Sequence, residues 1–378
     1  CTLDGNLVFR NDGVVHADAG LIQVMGQAEL RGVGTFHFND VSIVTGAVLE
    51  HTDPAEIEVA GNWTNAGMFD GDVNTVAFVG SVLQTIEATD FFGVRVDNGS
   101  GVTLSGPSSV SDLLSLENGL VNTTDTDLLT VLSNGTSTSG TLNSYVNGPL
   151  CKVGNSDFDF PIGKGSSWRR IGISSIDDQD TEYTAAYFDQ GYSNTTALTQ
   201  GLSAVSTTEY WTLSRAVTTD DARVKLFWED AAASGITNCD PLVVAQWNGM
   251  AWEGGSSTTS GSCAGTDAGG VELDNEATSL TAFTFGTQDA SIGIDEVERV
   301  AELLPYPQPS DSWATVPCNT PIAVLSVLDQ AGRIVNVQVD RTSEGVRLHT
   351  AVIPAGVYMI LLNDANGLVA RARLVVVH

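Results

Sequence analysis

The chain has 378 residues, of which 42% are hydrophobic, and its 46 acidic and 16 basic side chains give a formal net charge of −30. This length exceeds one ordinary β-sandwich, so we expect several domains with real hydrophobic cores. The charge disfavours nucleic acid and anionic lipid as partners, because an acidic surface repels their phosphates. No apolar run approaches the roughly 20 residues of a membrane-spanning helix, so no transmembrane segment is expected.

The N-terminal region, residues 1–182, repeats a loose unit of strand, turn and strand. No stretch keeps a helical period over several turns, and β-branched runs recur, which predicts an all-β chain. The strands recur about every 15 to 21 residues, which is typical of a β-solenoid whose coils pair in parallel. Turns such as Asn65-Ala66-Gly67 and Asn118-Gly119 suit the corners. Stacked sandwich repeats are the alternative.

Residues 183–288 have a different composition, with strands flanked by aromatic residues, and we expect an Ig-like β-sandwich there. Tryptophans 211, 228, 247 and 252 lie at strand-like positions, and Trp247-Asn248-Gly249 is typical of a hairpin turn. A row of tryptophans can form a platform on which sugar rings stack, and core packing is the commoner fate in a sandwich. We favour core packing and keep Trp211, Trp228, Trp247 and Trp252 as candidate sugar-stacking residues.

The five cysteines are Cys1, Cys151, Cys239, Cys263 and Cys318. No two of them have the CxxC spacing of a zinc ribbon or a redox motif. Cys239 and Cys263 lie in one predicted domain and flank a loop rich in glycine, serine and threonine. We therefore predict a disulfide between them in an oxidising compartment. The odd count leaves at least one thiol or one bond to another chain.

Residues 289–305 are predicted to form an acidic linker, and residues 306–378 are predicted to form a small Ig-like β-sandwich. Apolar and polar side chains alternate between Ala323 and Val339, with a turn at Gln330-Ala331-Gly332. A second pair of strands follows between Leu348 and Val377. This domain has five acidic and five basic residues, so the body of the chain carries the entire charge imbalance.

This C-terminal segment resembles the type A sorting domain of proteins that Bacteroidota export by type IX secretion. The resemblance rests on the order YPxPxxD, a strand ending in DxxGR, and a PAGVYMILL strand. The sorting-motif residues are Tyr306, Pro307, Pro309, Asp329, Gly332, Arg333, Gly356, Val357 and Tyr358. Gln308 departs from the family, which usually has asparagine there. The resemblance implies export across the outer membrane by the type IX translocon, usually followed by removal of this domain and surface attachment or release.

Residues 61–173 also resemble segments of large Bacteroidota surface proteins that end in the same domain, which favours a scaffold over an enzyme. Polysaccharide lyases use parallel β-helices too, with a cationic group beside an acidic sugar. Here the only lysines are Lys152, Lys164 and Lys225, and Arg169-Arg170 is the one basic doublet outside the tail. The histidines His16, His37 and His51 do not have metal-ligand spacing and are expected at the surface or at corners. We therefore predict a non-enzymatic protein.

Two pairs of acidic residues, Asp70 with Asp72 and Asp125 with Asp127, are candidate calcium ligands at loop ends. Neither pair follows the EF-hand or nonapeptide calcium pattern, so solvated loops are the favoured interpretation. No cofactor is expected otherwise.

Taken together, the sequence predicts a secreted, non-enzymatic structural protein of the cell surface, a self-assembling fibre or coat subunit. Its homo-oligomer is expected to form head to tail, because a solenoid ends in strands with unpaired backbone groups and Leu7 to Phe9 begin a strand without a preceding cap. A carbohydrate-binding surface adhesin is the alternative.

Overall fold

The computed structural model describes residues 1–13, 15–289, 301–318, 324–364 and 367–378. Their regular elements are all β-strands, which confirms the predicted all-β class. None of these residues lies in a helix that is long and apolar enough to span a membrane. The chain forms two compact units, Cys1–Ala290 and Ser291–His378. Most of the predicted linker, residues 290–300, lies outside the described residues.

The N-terminal part of the first unit is built from short strands separated by turns. They are β1 (Thr2–Leu3), β2 (Asn6–Arg10), β3 (Val15–Val24), β4 (Gln27–Arg31), β5 (Phe36–Ile43), β6 (Val48–His51), β7 (Ile57–Val59), β8 (Trp63–Asn65), β9 (Met68–Asp70), β10 (Thr75–Phe78), β11 (Gln84–Ile86), β12 (Asp90–Phe91), β13 (Gly93–Asp97), β14 (Val102–Leu104), β15 (Ser108–Val110), β16 (Leu113–Asn118), β17 (Val121–Asn122), β18 (Leu129–Val131), β19 (Thr136–Ser137), β20 (Val146–Asn147) and β21 (Leu150–Val153).

These strands pair in parallel with their equivalents one coil later and build three faces. The first face has the order β7-β10-β13-β16-β19, the second β8-β11-β14-β17-β20, and the third β2-β4-β6-β9 followed by β12-β15-β18-β21. Along the first face Ile57 pairs with Val76, Val76 with Val94 and Val94 with Leu114, so these coils take 18 to 20 residues each, and the next, from Leu114 to Ser137, takes 23. The predicted solenoid is confirmed.

The first two faces originate in one long strand, β5. Its beginning pairs with β7 and its end pairs with β8. The corner between β7 and β8 passes Gly61, where an added Cβ would lie 2.3 Å from the Asp40 carboxylate oxygen. Only glycine fits at this approach without displacing its neighbours, so Gly61 permits the split of one strand into two faces.

The interior of the solenoid is filled by alternate side chains of each face, as the period-two pattern requires. The inward residues of the first face are at most 5% exposed and comprise Ile57, Val59, Val76, Phe78, Val94, Val96, Leu114 and Leu116. Aromatic rings fill the corner between the second and third faces. The Trp63 ring centre lies 4.9 Å from that of Phe69 and 5.8 Å from that of Phe91.

The rest of the first unit consists of longer, mostly antiparallel strands. They are β22 (Phe158–Phe160), β23 (Ile162–Lys164), β24 (Ser167–Trp168), β25 (Ile171–Ser174), β26 (Glu182–Phe188), β27 (Leu202–Val205), β28 (Tyr210–Ala216), β29 (Arg223–Trp228), β30 (Leu242–Trp247), β31 (Trp252–Gly254), β32 (Ser257–Gly261), β33 (Gly269–Leu273) and β34 (Ala282–Gln288).

Strand β21 joins the two parts of the unit in one continuous sheet. Leu150 of β21 pairs in parallel with Leu129 of β18 and in antiparallel with Ala185 of β26. The sheet then continues through β28, β34, β30 and β31. The predicted boundary between residues 182 and 183 falls within this sheet, and the division into two domains there stays a prediction.

A second sheet, β22-β25-β29-β33-β32, packs against this antiparallel portion and forms a sandwich. Trp228 of the second sheet lies 5.9 Å from Phe285 of the first, between ring centres, and Trp211 lies 5.3 Å from the same ring. The immunoglobulin-like topology of this sandwich stays a prediction.

The second unit has two small sheets, β35-β41-β40-β37 and β36-β39-β38, around their own core. Its strands are β35 (Ala301–Leu303), β36 (Trp313–Pro317), β37 (Val324–Leu328), β38 (Val339–Thr342), β39 (Gly345–His349), β40 (Gly356–Asp364) and β41 (Gly367–Val376). Leu348, Ile360 and Leu374 are fully buried in this core.

Candidate functional site

The predicted disulfide is formed between Cys239 and Cys263, whose Cα atoms are 5.5 Å apart. It ties the segment before β30 to the segment after β32, 24 residues later. Among the described residues Cys1, Cys151 and Cys318 carry free thiols, and burial raises the pKa of the Cys151 thiol.

The four candidate sugar-stacking tryptophans do not form an exposed platform. Trp211, Trp228 and Trp252 are fully buried, and their indole N–H groups donate to backbone oxygens inside the unit. Trp247 is half-buried, and its ring lies 5.5 Å from that of Trp252 at an interplanar angle of 62°. Rings inclined in this way cannot present one flat surface to a sugar. Of the four candidate tryptophans, only Trp247 is partly open to solvent.

The candidate calcium ligands Asp70 and Asp72 line an open groove of about 880 Å³ on the third face. The Asp72 backbone N–H donates to the Asp70 carboxylate at 3.2 Å. Asp90, on the same groove, accepts a hydrogen bond of 2.6 Å from the Ser109 hydroxyl. The carboxylates of Asp70 and Asp90 therefore each accept a hydrogen bond from a neighbouring protein group.

The second acidic pair, Asp125 and Asp127, lies in an exposed turn that closes on itself. The Thr124 hydroxyl donates to the Asp127 carboxylate at 2.9 Å. Across the described parts of the chain, no three His, Cys, Asp or Glu side chains are grouped so that they could hold a metal ion. Calcium binding at either pair stays a prediction.

A buried ion pair lies at the edge of the sandwich, between Arg169 and Glu209. The Arg169 Nε donates to the Glu209 carboxylate at 3.0 Å, and the side chains are 10% and 3% exposed. The Tyr187 hydroxyl donates to the same carboxylate oxygen at 2.9 Å, and burial followed by the Glu209 charge raises the Tyr187 pKa strongly. The sequence showed the arginine doublet but gave no indication of this partner 40 residues away.

A buried cation, Lys152, lies in β21 where the parallel and antiparallel parts of the sheet meet. Its ammonium donates to the carbonyl oxygens of Leu132, Ser133 and Val153 at 2.7, 3.1 and 3.0 Å. It also lies 5.5 Å from the centre of the Phe158 ring. Burial disfavours the charged form and lowers the Lys152 pKa to about 8. The Lys152 ammonium group is thus bound by groups of the fold and is not exposed to a ligand.

Sorting-motif residues of the second unit build a turn around Asp329. Its carboxylate accepts hydrogen bonds from the backbone N–H groups of Ala331 and Arg333, both at 2.9 Å, and from Arg333 Nε at 2.8 Å. The Arg333 donors, backbone first, lower the Asp329 pKa. Gly332 has a φ of 75°, which glycine adopts without strain.

The other motif residues lie in two separate segments, one at the beginning of the domain and one at the beginning of β40. Pro307 and Pro309 each follow a cis peptide bond in an exposed segment, and the Tyr306 hydroxyl donates to Glu344 at 2.9 Å. Gly356, Val357 and Tyr358 begin β40, and the Tyr358 hydroxyl donates to the Pro354 carbonyl oxygen at 2.7 Å.

The turn around Asp329 and the start of β40 are thus built by residues on which the resemblance to a C-terminal sorting domain rests. Residues 305–377 match the family model described as secretion system C-terminal sorting domain. This segment is a type IX secretion sorting domain, as predicted, and the protein is secreted and then attached to the cell surface or released. The domain implies contact with the type IX machinery. No curated protein is detectably similar to the chain.

Proposed function

We propose that this secreted protein is a non-enzymatic structural component of the cell surface, a subunit of a fibre or coat. One observation carries the proposal: a single hydrophobic core runs from Ile22 in the solenoid to Phe285 in the sandwich. Because the sheet also continues through β21 into β26, residues 1–289 have no weakly connected segment between the two parts. Such continuity suits a rigid scaffold.

The distribution of basic groups supports a role without catalysis on anionic polymers. Lys152 is buried on carbonyl oxygens, and Lys225 lies 4.8 Å from the centre of the Phe227 ring. Arg170 binds Glu229 at 2.9 Å. Cations that are already paired within the fold are poorly placed to neutralise an acidic sugar.

We further propose that subunits associate head to tail into a homo-oligomer, in which a strand edge of the sandwich pairs with a different surface of the next copy. Strand β32 is the last strand of its sheet and pairs with β33 on one side. Its residues, Ser257 to Gly261, are small and uncharged. Natural edge strands are commonly protected by charged side chains, and β32 has none to prevent pairing with another copy.

The assembly proposal is tested on protein purified from its native surface or culture medium. We expect oligomers in light scattering and filaments in negative-stain microscopy, both lost in the double variant Thr258→Lys/Ser260→Lys. The exposed Thr219 of the same sandwich provides the matched control Thr219→Lys, which should assemble normally. A monodisperse monomer at high concentration would reject self-association, and equal assembly of the edge variant would reject β32 as the contact.

A carbohydrate-binding surface adhesin is the second candidate function. Its support is Trp247, which is half-buried beside the exposed hairpin residues Gly249 and Met250 and lies 5.3 Å from the Tyr192 ring. Loss of glycan or cell adhesion in a Trp247→Ala variant would favour this candidate, and unchanged adhesion would show that Trp247 is not the adhesive contact.

A further inference from the structure

A cavity of about 300 Å³ opens in the sandwich between two loops, residues 204–208 and residues 234–242. It is separate from the acidic groove of the third face and does not include any of the four tryptophans. Its volume lies at the lower end of the range for small-molecule sites, about 300 to 1,000 Å³. The cavity therefore suits a ligand group of one or two small rings.

The loop on one side of the cavity is fixed by its own hydrogen bonds. The backbone N–H groups of Ser234 and Ile236 donate to the carbonyl oxygens of Asp230 and Ala231 at 3.1 and 2.8 Å. Cys239, in the same loop, is held by the disulfide to Cys263. A wall held in this way does not need to be ordered by a ligand, which lowers the cost of binding.

The opposite wall is a turn anchored by a buried group. The Ser206 hydroxyl accepts hydrogen bonds from the backbone N–H groups of Thr208 and Glu209 at 3.3 and 3.4 Å. Glu209 is held in turn by its buried ion pair with Arg169. Both walls of the cavity are therefore formed before any ligand arrives.

The lining is uncharged, although the chain carries a net charge of −30. Rim positions offer the exposed hydroxyl or amide groups of Thr207, Thr208, Thr237, Asn238 and Thr287. Buried apolar side chains also line it, namely Val205, Ile236, Leu242 and Phe285. A lining of hydroxyl groups beside apolar side chains complements a ligand that has both hydroxyl groups and apolar C–H surface.

One polar group in the wall lacks a partner. Ser234 is 4% exposed, and its hydroxyl has no hydrogen-bond partner among the described residues. This oxygen has almost no accessible surface, so it lies within the wall and is not open to a ligand in the cavity. Phe285 is held from behind by the rings of Trp211 and Trp228, so the buried tryptophans support this cavity rather than touch a ligand themselves.

We propose that this cavity binds the terminal unit of a neutral saccharide. A pyranose ring presents hydroxyl groups on its edge and C–H groups on its faces, which matches the mixed lining. A uronic or sialic acid would meet the field of the acidic body without a basic residue in the cavity to pair with it. The site is independent of the scaffold function and of Trp247.

The test uses the full secreted chain and titrates it calorimetrically with glucose, galactose, mannose, fucose and N-acetylglucosamine, and with glucuronic and galacturonic acids. At least one neutral sugar should bind saturably, and the matching acid should bind at least tenfold more weakly. Thr208→Val and Thr237→Val should each weaken binding about fivefold, the effect of losing one neutral hydrogen bond. Thr237→Trp should abolish binding by filling the opening.

Controls separate this site from others and from loss of folding. Thr219→Val, an exposed threonine outside the cavity, and Trp247→Ala should both retain full affinity, and all variants should keep the melting temperature of the parent. The proposal is overturned if none of the five neutral sugars binds at millimolar concentration. It is equally overturned if the acids bind as tightly, or if Trp247→Ala removes binding while the cavity variants do not.

Discussion

Arg95 binds Glu56 through two parallel hydrogen bonds, Nε to Oε1 and Nη2 to Oε2, each 2.8 Å long. The two residues belong to coils that are not neighbours, because strand β10 lies between β7 and β13. Ala77 of β10 pairs in register with both Glu58 and Arg95 and is fully buried. Its methyl group leaves room for the arginine to cross β10, so one side chain connects three successive coils.

Replacing Arg95 with glutamine should lower the free energy of unfolding by about 1 kcal/mol, because the bidentate pair is partly shielded from water. Arg95→Lys should recover only part of this loss, since a lysine cannot make two parallel hydrogen bonds. Urea denaturation measures the difference. Arg10→Gln is the control, because its ion pair with Asp12 is 67% and 58% exposed and should contribute little.

His51 should make the first unit sensitive to acid. Its side chain is fully buried against Phe36, neither ring nitrogen has a hydrogen-bond partner among the described residues, and burial lowers its pKa to about 4. Between pH 6.5 and 4 the His51 imidazole is protonated in the unfolded chain and remains neutral in the folded chain. The unfolding free energy should therefore fall as the pH falls, by up to about 3 kcal/mol from this residue.

The measurement is the unfolding free energy of the parent and of His51→Leu across this pH window. Carboxylates contribute to both curves, so the difference between them isolates the histidine. Equal slopes for the two proteins would contradict the prediction.

Lys152 should make the unfolding free energy depend on pH in the alkaline range. Its pKa falls from 10.5 to about 8 on folding, so between these values the unfolded chain binds more protons than the folded one. The unfolding free energy should rise with pH over this window, by a contribution on the order of 1 to 3 kcal/mol. Lys152→Met should remove the rise. It should also destabilise the junction at neutral pH, because carbonyl oxygens of Leu132 and Ser133 lose a donor. Finding the same alkaline rise in the variant would show that another group causes it.

Removing the disulfide should destabilise the first unit by roughly 3 kcal/mol, the value expected for a loop of about this length. We compare thermal unfolding of the parent with Cys239→Ser/Cys263→Ser. Cys318→Ser, which changes a free thiol of the second unit, should leave the first transition unchanged. A double variant as stable as the parent would contradict this expectation.

Deleting residues 306–378 should stop export while leaving the body folded, because the first unit has its own core. Cell fractionation should find the truncated protein inside the cell and the parent at the surface or in the medium. Asp329→Ala gives a milder test, since it removes the acceptor of three hydrogen bonds in one turn of the sorting domain. Normal surface amounts of the deletion variant would contradict the role of this domain.

Local patterns predicted much of this fold. Alternation of apolar residues in segments such as Ile57–Val59 predicted the strands and their inward side chains, because burial on one face imposes a period of two. The spacing of these segments predicted parallel stacking. The motif around Tyr306 and Asp329 predicted the sorting domain, since its residues form turns that depend on neighbours a few positions away.

Long-range partners were not predictable from one sequence. Lys152 stands within the apolar run of β21, yet two of its three acceptors lie 19 and 20 residues earlier, on the previous coil. His51 was expected at the surface or at a corner, and that expectation was wrong, because the alternation of β6 turns it inward beside Leu49. The uncharged cavity joins loops about 30 residues apart, so its composition is visible only in three dimensions.

At β21 the sheet changes from parallel to antiparallel pairing, and this limits where the chain can gain or lose residues. Coils before β21 contact mainly the coils on either side of them, whereas β21 must match a parallel neighbour, β18, and an antiparallel neighbour, β26. Gain or loss of one whole coil upstream would leave that match intact and would alter the stack by about 4.8 Å, the spacing of adjacent strands. Homologous chains are therefore expected to differ by whole coils before β21 and to keep the segment from β18 to β26 constant in length.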